Sequence, residues 1–82
     1  MTFYPSSVNY NVNPTSGTTP AIAQWPVMSY HLELNGADLD AAIAAMDAGF
    51  AAMAAAFEVE FPGTTWEATR VLNGSEGSTV IY

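Results

Sequence analysis

One histidine, eight carboxylates, four tyrosines and a single arginine are the side chains that this 82-residue chain offers for acid–base or ionic chemistry. His31 stands two residues before Glu33 in an alternating stretch, so both side chains would project from one strand face, where such a pair can act as a general base and the group that orients it. A base needs a nucleophile or a substrate anchor, and no recognisable motif places a serine or threonine beside this one. A solvent-facing or interface histidine is the better reading, and no catalytic residue is expected. Glu58 and Glu60 would share a strand face roughly 7 Å apart, a spacing that can serve a glycosidase or a metal. The stretch FEVEF is also the ordinary writing of a half-buried strand with a solvated acidic face, which is the reading adopted. Asn35, Asp38 and Asp40 bring oxygen ligands together but lack the alternation and the closing glutamate of a calcium loop, and they read as a helix cap. Gly74 and Gly77 precede neither a lysine nor a helix, so they belong to a hairpin and not to a phosphate loop. No metal and no cofactor is expected. Arg70, the sole cation, would fix a strand register or a subunit contact through a carboxylate such as Glu58, Glu60 or Glu67.

The charge balance narrows the partners. Net charge is −7 and there is no lysine, so the chain cannot displace the counterions of a phosphate backbone, and neither nucleic acid nor an anionic membrane surface is expected as a partner. Without cysteine, disulfides, thiolate metal sites and cysteine nucleophiles are excluded together. The opening residues MTFYPSSVNYNVNP carry neither a basic nor a long apolar region of the kind a secretory signal uses. The expected location is the cytoplasm, or a particle assembled there.

The element that must position everything else is Ala37 to Phe57, ADLDAAIAAMDAGFAAMAAAF. Leu39, Ile43, Met46, Phe50, Met53 and Phe57 recur at steps of four and three, one stripe of a 3.6-residue helix. Between them the sequence is mostly alanine, the best helix former and also the side chain that lets a second backbone approach closely. Ala44 and Ala48 are therefore candidate contact residues. Gly49 costs such a helix about 1 kcal/mol relative to alanine, and a close approach by a strand or a neighbouring helix would explain it. Before the helix, Val27 to Leu34 alternates as a half-buried strand. After it, Phe57 to Phe61 reads as a strand, Pro62-Gly63-Thr64 as a turn, Thr65 to Leu72 as a strand, 73 to 77 as a second turn and Ser78 to Tyr82 as a short final strand. The expected core sets Leu39, Ile43, Met46, Phe50 and Met53 against Met28, Tyr30, Leu32, Val59 and Phe61.

Residues 1 to 26 carry no charge, and Pro5, Pro14, Pro20 and Pro26 interrupt them too often for a helix or a central strand. Their aromatic content separates them from a solvated tail. They read as an extended arm that docks on a neighbour, with Phe3, Tyr4, Tyr10 and Trp25 as anchors. The expected architecture is α+β: one amphipathic helix on a small, mostly antiparallel sheet in the order β-α-β-β-β, spanning 27 to 82 and preceded by the arm.

So small a chain buries only about 60% of its unfolded surface, and association is the remaining way to stabilise it. In type, the absence of cysteine and lysine, the aromatic Pro-rich leader and the compact acidic body resemble the small virion proteins of tailed bacteriophages. That resemblance implies a structural subunit that decorates or cements a capsid or builds a tail, with other protein subunits, including its own copies, as partners. The alternative is a small acidic binding module, an inhibitor or a DNA mimic.

Overall fold

The computed structural model describes residues 7–18, 26–31, 36–72 and 77–82. Four strands and one helix follow one another as β1 (Ser7–Gly17), β2 (Val27–His31), α1 (Gly36–Glu60), β3 (Thr64–Leu72) and β4 (Gly77–Val80). The sheet runs β2-β1-β3-β4, and every neighbouring pair is antiparallel. Because β2 and β3 both run against β1, they are parallel to each other, and α1 is the crossover that carries the chain over β1 from one to the other. The α+β class and the helix on an antiparallel sheet are as the sequence implies.

Part of the stretch 1 to 26, read as an arm, is a strand of the fold: Ser7–Gly17 pairs with both β2 and β3, and 1–6 and 19–25 lie outside the described residues. Val8, Tyr10 and Val12 are fully buried under the helix, while Asn9, Asn11 and Asn13 alternate onto the opposite face. Proline is tolerated because Pro14 sits where the register with β3 shifts, between Pro14 and Ser16, at a bulge rather than in a regular ladder. Gly17 then turns out of the strand with φ +92°, and a Cβ there would lie 2.1 Å from the Gly63 carbonyl oxygen. The two backbones are tied at that point: Thr18 N–H donates to Gly63 O at 3.1 Å, and the Thr64 hydroxyl donates to Thr18 O.

A second correction concerns Phe57 to Phe61. Glu58, Val59 and Glu60 continue α1, and Phe61 N–H donates to Phe57 O at 2.8 Å. The two phenylalanines are therefore helical i,i+4 neighbours, 5.9 Å apart between ring centroids, and both lie against Trp66. Val59, expected in the core, is 75% exposed.

The core lies between α1 and one sheet face. Leu39, Phe50 and Ala54 are buried from the helix side, with Val8, Tyr10, Val12, Trp66, Ala68 and Leu72 from the sheet. Ile43, Met46, Met53 and Phe57 complete the expected helix stripe as partly buried neighbours of that core. Tyr30 packs against it edge-on to Tyr10. Met28, expected inside, is half-exposed on the edge strand, and Leu32 lies outside the described residues. By length and composition α1 could cross a membrane. In this fold it lies along the sheet, held there by the Phe50 ring stacked on Tyr10 at 4.5 Å.

Candidate functional site

Beneath the middle of α1, three polar side chains meet in the core. Tyr10 and Arg70 are direct cross-strand partners on β1 and β3, so both project towards the helix, where Asp47 faces them. The Tyr10 hydroxyl donates to Asp47 Oδ1 at 2.7 Å and reaches the Ile43 carbonyl oxygen at 3.4 Å. Arg70 Nη1 donates to Asp47 Oδ2 in an ion pair. One carboxylate thus accepts from two strands, one oxygen each. Burial, and after it the bond to Asp47, hold the Tyr10 phenol well above its ordinary titration range, with Arg70 pulling weakly the other way. A phenol held neutral and stacked beneath Phe50 positions the helix.

Arg70 therefore pairs with Asp47 of the helix, where a carboxylate such as Glu58, Glu60 or Glu67 was expected. Tyr10, expected to dock on a partner subunit, is instead a fully buried core residue, because the alternation of β1 turns it under the helix. Glu58 is not on a strand face either. Its Oε2 accepts from the Trp66 backbone N–H at 3.3 Å, and its other oxygen accepts from the Tyr82 hydroxyl. The last turn of α1 thereby caps the flank of β3 beyond the short β4. His31 pairs with Ser7 in the sheet. Glu33, Asn35 and Gly74, and the proposed anchors Phe3, Tyr4 and Trp25, lie outside the described residues.

What remains open is the outer face of α1. Ala41, Ala44, Ala45, Ala48, Ala52 and Ala56 are exposed along it, with Gly49 among them. Ala44 and Ala48 are thus brought onto one surface, on the side of the helix away from Tyr10 and Arg70. Asp47 is the one acid between Asp40 and Glu58, and it turns inward, so this face carries no charge over four helical turns. Near its end, Met53, Ala56, Phe57, Glu60 and Phe61 line a shallow open hollow. No set of polar groups converges there, and among the described residues no three His, Asp or Glu side chains form a metal-binding cluster.

Protein-family models, curated proteins and solved structures give no match to this chain. The surface must be read from its own residues. The inward turn of Asp47 was not visible in the sequence: its partners lie 37 and 23 residues away. Only the placement of Tyr10 and Arg70 opposite each other on neighbouring strands reveals it.

Proposed function

We propose that this protein is a structural subunit of a larger symmetric protein assembly and that the outer face of α1 is a contact with a neighbouring subunit. The observation that carries this reading is Gly49. It sits mid-helix, where glycine costs about 1 kcal/mol relative to alanine, and a Cβ there would meet no atom of the described residues within 4 Å. Nothing among the described residues returns that cost. On a face of small side chains, a glycine lets a neighbouring backbone come closer than alanine allows. The uncharged surface around it supports the same reading, since interface centres are depleted in charge. A virion of a tailed bacteriophage, as capsid decoration or tail component, is the assembly we propose. The alternative of an acidic binding module fits less well, because Asp47 and Glu58 are engaged within the fold.

Gly49→Ala separates the two roles. The isolated subunit should become more stable by about 1 kcal/mol, read as a higher melting temperature in dilute solution. Assembly, read by light scattering at high concentration, should weaken. A variant that is more stable and assembles as well as the parent would remove the contact.

A further inference from the structure

We propose that the hollow at the C-terminal end of α1 is a docking site for an arginine side chain of a different protein, with the guanidinium at Glu60 and the methylene stem on Phe57 and Phe61. The site stands apart from the contact between copies proposed for the alanine face and calls for another kind of partner. Met53, Ala56, Phe57, Glu60 and Phe61 line about 150 Å³ of space, a volume that in a protein holds one benzene-sized group. It therefore takes one side chain and not a chain segment.

The wall selects the stem. Met53, Phe57 and Phe61 are half-buried members of the apolar layer around the core, and both phenylalanine rings are held against Trp66. Arginine and lysine lay their methylenes along such a surface while the charged head stays in water. A guanidinium also stacks on aromatic rings and takes a carboxylate through two parallel bonds, which an ammonium does not.

Charge selects the head group and the kind of partner. α1 ends with two carboxylates, Glu58 and Glu60, and no basic residue in its last turn, although the backbone dipole places about half a negative charge at that end and favours cations there. Glu58 is engaged by the Trp66 N–H and the Tyr82 hydroxyl. Glu60 is exposed and is the one charged member of the hollow. The chain's own side chains do not supply its complement. There is one arginine, one histidine and no lysine. Arg70 is engaged by Asp47. His31 pairs with Ser7, at the opposite end of β1 from Gly17, and it is the Gly17 end that meets the turn after α1 through the bond from Thr18 N–H to Gly63 O. A second copy brings the same shortage of cations and a further net charge of −7. The complement is a cation on another chain.

The test is an NMR titration of the isotope-labelled full chain with the peptide acetyl-Ala-Leu-Arg-Leu-Ala-amide, and with the same peptide carrying citrulline, which keeps the shape of arginine without its charge. The arginine peptide should move the amide signals of Met53, Phe57, Glu60 and Phe61 in a saturable way. Glu60→Gln should weaken it about two- to fivefold, the scale of a part-exposed ion pair, and remove its preference over citrulline. Ala56→Leu, which fills the hollow from an exposed helix position, should weaken both peptides with circular dichroism unchanged. The amide map of the parent is a readout that holds even if a variant fails to fold. Equal binding of the two peptides, a Glu60→Gln variant that keeps the preference, or shifts centred on Asp38 and Asp40 instead would overturn the proposal. So would contacts from Ile22 or Trp25 to Phe61 in the free chain, which would show the hollow filled from within, or shifts at the hollow that follow protein concentration alone, which would give it to a second copy. If the arginine peptide binds as expected to a chain that never self-associates, this site stands and the alanine-face contact falls; the reverse pattern removes this site alone.

Discussion

Asp47 and Arg70 form an ion pair between the middle of α1 and the inner strand β3, with side chains 26% and 13% exposed. The pair has two consequences. It fixes the rotation of the helix about its own axis, and it removes the only mid-helix charge from the outer face.

Asp47→Ala tests the first consequence. It leaves both the Arg70 guanidinium and the Tyr10 hydroxyl without the carboxylate they share, and hydrogen bonds to charged groups contribute about 1.5–3 kcal/mol each. Partial exposure of the pair places the expected loss towards the lower end of that range. Urea unfolding followed by circular dichroism should show the midpoint falling with an unchanged slope. A midpoint equal to the parent's would mean that the pair does not hold the helix.

Alkaline pH should weaken the fold through Tyr10. Its folded-state pKa is raised above the ordinary value of 10.0, so the folded protein keeps a proton that the unfolded chain releases. The stabilisation is complete below about pH 10 and is lost as pH rises through the folded value, at up to about 1.4 kcal/mol per pH unit. Tyr10→Phe should flatten this decline. Equal slopes of stability against pH above about pH 10 in parent and variant would contradict the assignment.

Gly17→Ala should be strongly destabilising for two separate reasons. A φ of +92° strains any side chain at about 1–3 kcal/mol, and the added carbon would run into the Gly63 carbonyl oxygen. The tie between the end of β1 and the turn before β3 should open, lowering the melting temperature and exposing the amides of Thr18 and Thr64 to hydrogen exchange. A melt unchanged from the parent would show that the close approach is not maintained in solution.

The helix stripe was legible because six large residues recur at helical steps over 19 residues. FEVEF was ambiguous for the opposite reason. Five residues with Phe57 and Phe61 at the ends satisfy a period of two and an i,i+4 helical step equally well, and the aromatic contacts to Trp66 decide for the helix. β1 carried its own signal in Val8-Asn9-Tyr10-Asn11-Val12-Asn13, a strict alternation. Proline at four positions in 26 residues outweighed it, although only Pro14 falls within the strand, at a bulge that needs no regular ladder bond. The alanine surface was visible as composition. That it stays uncharged depends on Asp47 facing Tyr10 and Arg70, a long-range pairing that local periodicity does not encode.

The central claim is that the outer face of α1 meets another subunit, and the solution mass of the parent beside Ala48→Glu tests it most directly. Size-exclusion chromatography with light scattering, run from dilute to concentrated protein, should give the parent a mass that rises to a defined multiple of the 8.7 kDa chain. Ala48→Glu, with unchanged circular dichroism, should give a smaller mass at every concentration where the parent associates. A parent that remains at the mass of one chain throughout, or an Ala48→Glu variant that associates as the parent does, would contradict the account.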